Sequence, residues 1–231
     1  MTALVALGEG DLDRVYIVKP EYAAVEGSSM YLKAGETLSL RDTLYGLMLA
    51  SGNDAAVAIA GECGGMTAFV GKMNAKAAEL GLMDTHFDNP NGLPSDTHYT
   101  TAHELAKITA AALKDPVFRQ IVSTKSCTVS GHALSNHNRL LSMYDGAIGV
   151  KTGYTRAAGR CLVSAAERNG RTIIAVTLND PNDWNDHMEM LDAGFAQYSE
   201  VTLHKAGDTI ANARVFGGDT AVRTAHSEKV P

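Results

Sequence analysis

The sequence predicts an α/β (α+β) chain in which an antiparallel sheet is flanked by helices. A helical lobe and the start of a small C-terminal β domain complete the expectation. Three observations carry it. Apolar residues recur at helical spacing from Leu40 to Leu113. The period then becomes that of strands, with Cys161–Ala166 and Thr172–Leu178 joined by Asn169-Gly170, the strongest two-residue hairpin signal. A last helical stretch, Asp183–Ser199, brings Trp184, Met188, Leu191 and Phe195 as a cover for the sheet.

Taken in order, Met1–Gly8 reads as a helical fragment without an N-cap, ending at a glycine. Val15–Val18 is a short strand-like run, and Glu26–Gly35 is rich in turn residues. Ser39 is placed to cap a helix, with Asp42 supplying negative charge in the first turn. That helix carries Leu40, Leu44, Leu47 and Met48 and is interrupted at Ala50-Ser51-Gly52-Asn53-Asp54. A second helix follows to Gly64-Gly65, and a third spans Met66–Leu80 with Gly81 in the C′ position. After a turn-rich loop, Asp88–Pro94, Thr101 opens a fourth helix with Glu104 completing a possible capping box. Asp115-Pro116 is expected to end that helix. Ser126–Val129 is a short strand, and His132–Arg139 a polar crossing to Leu140-Leu141. The Cys161–Ala166 and Thr172–Leu178 strands are apolar on both faces, which predicts cover on both.

The tail differs in composition, with Gly207, Gly217, Gly218 and β-prone runs such as Val201-Thr202-Leu203. Residues 1–199 are therefore expected to form one domain and residues 200–231 the incomplete beginning of a second, with the break at Ser199-Glu200.

Composition bounds the function. The 231 residues carry a net charge of −6, with hydrophobic content of 45% and charged content of 20%, as in ordinary globular proteins. The acidic balance argues against nucleic acid as a partner. Cys63, Cys127 and Cys161 are too few and scattered for a disulfide framework and are expected as buried free thiols. No apolar run is long enough to span a membrane, and the first residues lack the basic leader of a signal peptide. His132/His137 and His98/His103 are pairs without a Cys or carboxylate cluster at ligand spacing, so neither a metal nor a cofactor is expected. The methionines read as core fillers and Trp184 as sheet cover rather than ligand platform.

Two short stretches carry chemistry. Ile148 and Val150 alternate with small or polar residues, so Ile148–Thr155 reads as the end of a strand bearing Lys151, Thr152 and Gly153. Glycine there admits a ligand backbone, while Lys151 and Thr152 suit an anion such as a peptide carboxylate. Taken alone, Ser51-Gly52-Asn53 is a helix-breaking turn with Asn53 or Asp54 as N-cap. Together the two stretches describe half of an acyl-transfer site. Ser-x-x-Lys, Ser-Asp-Asn and Lys-Thr-Gly are the signature set of penicillin-binding proteins and class A β-lactamases.

Here the chain resembles a known family. Leu49–Ala56, Asp145-Gly146 with Gly149–Thr155, and Ala158-Gly159-Arg160-Cys161-Leu162 are similar to the low-molecular-mass D-alanyl-D-alanine carboxypeptidases. So are Asn89–Leu93, Thr100–Ala102 and Asn136–Leu141. The resemblance runs from Met1 to about Phe195. It implies a β-lactamase/transpeptidase-like fold, a peptidoglycan stem peptide as partner, β-lactams as inhibitors and a place on the outer face of the cytoplasmic membrane. Ser51 would pass protons near the acylated centre and Asn53 would hold the substrate's amide side. Lys151 and Thr152 would hold its terminal carboxylate, and strand 151–154 would pair with its backbone. The roles of Arg139, Arg156 and Arg160 stay open, as does that of His137, which stands where some relatives carry Arg.

One family motif is absent: no serine in the 231 residues is followed three positions later by lysine. The resemblance places the nucleophile motif just before a run like Met1–Leu7. The nucleophile, its lysine and the family's first strands are therefore expected upstream, as is membrane association through segments outside the chain. A truncated reading is favoured over a natural remnant by the missing helix cap and the incomplete tail. The chain as written is expected not to form an acyl-enzyme. The alternatives are a β-lactamase or glutaminase on the same fold, or a non-catalytic binder of stem peptides. A class A β-lactamase would also carry a deacylating Glu before Lys-Thr-Gly, and no clear candidate is present.

Overall fold

Short caps and turns set the boundaries of the elements. The computed structural model describes residues 1–197, 207–214 and 222–226. Helix α1 (Thr2–Leu7) ends on Gly8, as expected. Strands β1 (Val15–Ile17) and β2 (Thr37–Ser39) pair antiparallel, with the short α2 (Pro20–Ala23) in the connection. Helices α3 (Leu40–Leu49), α4 (Asn53–Glu62) and α5 (Met66–Glu79) follow. Ser39 caps α3, accepting from the Asp42 N–H at 3.0 Å. Gly81 follows α5 at φ +67°, the left-handed conformation that glycine adopts without strain.

Helix α6 (Ala102–Ala112) starts on Thr101, whose hydroxyl accepts from Glu104 N–H at 3.2 Å. Only half of the expected capping box forms. The buried Glu104 carboxylate accepts instead from the Met83 and Asp84 N–H groups and the Thr85 hydroxyl. Three donors in a buried site outweigh one backbone N–H.

Asp115-Pro116 ends α6 and also begins α7 (Pro116–Ser123), a helix the sequence reading omits. Asp115 accepts from the Val117 and Phe118 N–H groups at 2.7 and 3.1 Å, and Pro116 takes the first helical position, where its missing N–H costs nothing. The polar crossing is likewise corrected. His132–Ser135 is a strand, β4, paired antiparallel with β3 (Ser126–Val129) through a two-residue turn, Ser130-Gly131, with both residues at positive φ. Only Leu134 of β4 is buried, so its apolar signal is weak.

After α8 (Leu140–Met143) comes the main sheet among the described residues, in the order β5 (Ala147–Thr155), β6 (Gly159–Arg168), β7 (Arg171–Thr177), all antiparallel. Lys151-Thr152-Gly153 lies inside the nine-residue β5 rather than at a strand end. Asn169 and Gly170 both take positive φ in the predicted hairpin turn. Helix α9 (Asp183–Gln197) completes this part.

Both faces of the sheet are covered. Leu162, Ala166 and Ala175 pack with Leu191, Leu140 and Tyr144. Val150 and Ala165 join the larger core with Phe118, Ile121, Val122, Leu44 and Leu49. Each such large side chain contributes about 1.5–3 kcal/mol when buried. Behind the sheet, the fully buried His187 lies between the Ser164 and Thr177 hydroxyls, at 2.6 and 3.0 Å.

The chain divides into two units, Met1–Phe195 and Ala196–Pro231. In the second, β8 (Thr209–Arg214) pairs antiparallel with β9 (Val222–His226). The expected run Val201-Thr202-Leu203 and the expected break at Ser199-Glu200 lie outside the described residues. Among the described residues no helix is long and apolar enough to cross a membrane. The cysteines are free, but only Cys63 is buried; Cys127 and Cys161 are half-buried.

Candidate active site

The interruption between α3 and α4 is a built corner. Ser51 takes φ +55°, held there because the Ala50 and Gly52 N–H groups both donate to Gly46 O at 3.2 Å. The Asn53 N–H donates to Ser28 O at 2.8 Å. Gly52, not Asn53 or Asp54, is the N-cap of α4. A Cβ on Gly52 would stand 2.7 Å from an Asp54 carboxylate oxygen, so the corner requires glycine. Asp54 is the clamp. Its buried carboxylate accepts from the Ser29 hydroxyl and from the Met30, Leu32 and Ala55 N–H groups, at 2.6 to 3.0 Å. It thereby ties the turn-rich segment after Glu26 against the start of α4.

Asn53 is buried, with its Nδ2 donating to Glu26 O at 2.8 Å. What it keeps for a ligand is its carbonyl oxygen and its second Nδ2 proton. Gly27, at φ +92°, passes so close that a Cβ there would lie 2.6 Å from Asn53 Nδ2.

Lys151 reaches this corner from β5. Its ammonium donates to Ser51 Oγ and, at 2.7 Å, to Thr152 O. Burial strips water from the ammonium and pulls its pKa down to about 8. His137 is anchored through its N–H to Leu49 O at 3.3 Å. Burial, and then the Lys151 charge, hold its imidazole below the usual histidine value.

The five residues expected from sequence, Ser51, Asn53, Lys151, Thr152 and Gly153, all line one cleft of about 620 Å³. The cleft also takes in Gly27 and Ser28, the loop Asn91-Gly92-Leu93, His137 and Tyr154. The wall also includes Arg160, whose role the resemblance left open, Trp184, expected only as sheet cover, and Asp183, which the sequence did not single out. Arg160 donates from Nη2 to both Asp183 oxygens at 2.7 and 2.9 Å and from Nε at 3.1 Å. Its guanidinium lies 5.6 Å from the Trp184 ring centre. Trp184 packs against the sheet as expected, but it is also a cleft wall. The sequence signal for Arg160 was the stretch Ala158-Gly159-Arg160-Cys161-Leu162; in the sheet it stands opposite Tyr154. No group of three or more His, Cys, Asp or Glu side chains that could hold a metal exists among the described residues.

The arrangement is a hydroxyl–ammonium pair, a buried amide and an edge strand around one slot. The sequence profile of peptidase S11, D-alanyl-D-alanine carboxypeptidase, matches residues 1–182. The chain belongs to this family. The carboxypeptidase DacB2 of Mycobacterium tuberculosis is 39% identical over 215 residues, covering 88% of this chain and 74% of that protein. The carboxypeptidase of Streptomyces sp. strain K15 is 38% identical, covering 85% and 76%. DacF of Bacillus subtilis is also 38% identical over 85% of this chain, which spans 53% of DacF. Among solved structures, a D-alanyl-D-alanine carboxypeptidase from M. tuberculosis H37Rv superposes with a TM-score of 0.81 at 39% identity, covering 85% and 79% of the two chains. The Streptomyces K15 DD-transpeptidase gives 0.79 at 37% identity, covering 84% of each. The fold is thus that of the penicillin-binding DD-peptidases, mixed helix and antiparallel sheet. These findings favour the carboxypeptidase reading and give no support to the β-lactamase or glutaminase alternatives.

Proposed function

We propose that the protein is a serine-type D-Ala-D-Ala carboxypeptidase that trims the terminal D-alanine from peptidoglycan stem pentapeptides outside the cytoplasm. The 231 residues supply the substrate-holding and proton-relay side of its site. The observation that carries the proposal is the meeting of Ser51-Gly52-Asn53 and Lys151-Thr152-Gly153 across one cleft, joined by the Lys151–Ser51 hydrogen bond.

Each group has a role that its geometry suits. The edge of β5 at 151–154 offers backbone donors and acceptors to an extended peptide, and Gly153 leaves the approach open. The Asn53 carbonyl accepts from a substrate amide N–H. Lys151 orients and acidifies Ser51, which passes a proton to the departing amine. The Thr152 hydroxyl donates to the substrate's terminal carboxylate. A β-lactam, which also presents a carboxylate beside an amide-like carbonyl, fits as an inhibitor. The acylated serine belongs to a Ser-x-x-Lys segment, and none occurs in these 231 residues.

Titration with diacetyl-Lys-D-Ala-D-Ala, followed by amide chemical shifts, tests the reading. Shifts are expected at Ser51, Asn53, Thr152 and Gly153 with the D,D peptide and not with its L,L counterpart. Equal responses to both, or shifts elsewhere, would overturn it. A fluorescent penicillin tests the division of labour. These residues are expected to take up no denaturation-resistant label, and such a label would contradict it.

A further inference from the structure

Between the β3–β4 hairpin and α8 lies a second cavity, of about 400 Å³, which shares no residue with the cleft. Asn136 and Asn138 line it, while His137 between them lines the cleft, so one short strip of chain serves as a wall of both. Asn136 staples that strip in place. Its Nδ2 donates to the Val122 and Thr124 carbonyls at 3.2 and 2.9 Å, and its Oδ1 accepts from the Asn138 N–H at 2.9 Å. Asn138 is 3% exposed, and its Oδ1 accepts from the Leu140 N–H at 3.1 Å. Its Nδ2 has no protein partner, and a buried donor left without an acceptor costs stability. The other donors of the lining are unspent as well. Ser126 and Ser135 are cross-strand partners and stand side by side. Their hydroxyls, and that of Ser142 on α8, make no hydrogen bond to a described residue. Lys125 and Arg139 are exposed, and neither forms an ion pair with a described residue. The Arg139 guanidinium rests instead on Trp184, 5.9 Å from the ring centre. No carboxylate lines this cavity, in a chain whose net charge is −6.

Donor chemistry narrows the ligand. Two cations without a counter-charge favour an anion. A carboxylate offers two oxygens in one plane, whereas a phosphate offers three or more about a tetrahedron, with up to about two charges. Hydroxyls, an amide, an ammonium and a guanidinium fork together suit the phosphate, since the fork takes two of its oxygens and leaves the others for the neutral donors. We infer that this cavity is a second binding site, for an oxyanion of the phosphate class, with Arg139 and Lys125 supplying charge and Asn138 and the three serines supplying neutral donors. None of these groups lines the cleft, so the site stands apart from the carboxypeptidase reading. Two sources share the chemistry. One is a free or end-group phosphate, and the other is a phosphodiester, for whose two substituents the cavity has room.

Inorganic phosphate, dimethyl phosphate and acetate, each titrated into the 231-residue chain at fixed ionic strength, provide the test. Amide chemical shifts are followed together with the fluorescence of Trp184, the single tryptophan. Inorganic phosphate is expected to give saturable shifts at Ser126, Ser135, Ser142 and the Asn138 side-chain amide, with Trp184 emission following the same curve through Arg139. Acetate is expected to bind about tenfold more weakly or worse. The double variant Lys125→Gln/Arg139→Gln is expected to weaken phosphate by about tenfold or more, the effect of losing charge-assisted contacts. Its thermal midpoint should stay that of the wild type, since both side chains are exposed and unpaired. Dimethyl phosphate bound as well as inorganic phosphate supports the site and assigns it to a phosphodiester. Inorganic phosphate bound alone supports it and assigns it to a free or end-group phosphate. Shifts that grow without saturation, shifts centred on Thr152 and Gly153, an equal response to acetate, or a double variant that binds phosphate as the wild type does would overturn it.

Discussion

Across 100 positions of chain, the Lys151 ammonium donates to the Ser51 hydroxyl. This bond joins the helical lobe to the sheet at the cleft that both residues line. The ammonium occupies one lone pair of Ser51, and the serine keeps its own proton to donate.

Lys151 is expected to titrate near 8 rather than at the ordinary lysine value of 10.5, since burial disfavours its charged form. Between those two values the unfolded chain binds the proton and the folded chain does not. Stability therefore rises with pH through that window. The titration of the labelled Lys151 side chain followed by NMR checks this, and a midpoint above 10 would contradict the burial argument.

Gly27→Ala is expected to destabilise the protein by about 2–4 kcal/mol, combining positive-φ strain with a Cβ driven into Asn53. Gly10 is the control. It has φ +97° but open space around the added Cβ, so Gly10→Ala carries the strain of about 1 kcal/mol alone. Urea denaturation of the two variants should separate them; equal losses would mean that the Gly27–Asn53 approach does not matter.

Removing the Asp54 carboxylate by Asp54→Ala leaves a hydroxyl and three backbone N–H groups without their acceptor. A loss of about 3–5 kcal/mol is expected, with faster amide exchange at Met30 and Leu32 as its local signature. Unchanged exchange at those amides would refute the clamp.

His187 sits fully buried between two hydroxyls, and burial pushes its pKa down to about 4. A neutral ring, with one N–H and one lone pair, serves both partners. The unfolded chain takes up a proton near 6.5 and the folded one only near 4. Stability is thus full above about 6.5 and falls by on the order of 3 kcal/mol as the pH drops towards 4. In His187→Gln that slope should flatten, as read by thermal unfolding across this range; an unaltered slope would place the acid sensitivity elsewhere.

Local signals were legible where one residue type does one job. Ser39 and Thr101 cap their helices, Asn169-Gly170 turns its hairpin, and the Ser51 and Lys151 motifs meet in one cleft. Reading failed where one residue does two jobs. Asp115-Pro116 both ends α6 and starts α7, and a stop signal masked a start. Glu104 fits a capping box by spacing, but three better donors from Met83–Thr85 claim it. Arg160 was quoted with its role open, Trp184 was read only as sheet cover and Asp183 was not singled out, because the sheet register and the start of α9 bring the three together and neither is encoded in local spacing.

A peptide ending in D-Ala-D-Ala is expected to lie along the edge of β5, against the Ser51 corner. A crystal structure of the chain with diacetyl-Lys-D-Ala-D-Ala is the decisive measurement. The peptide should be extended against residues 151–154, with its amide on Asn53 and its terminal carboxylate on Thr152. A peptide bound elsewhere, or seated with its carboxylate turned away from Thr152, would rule this seat out.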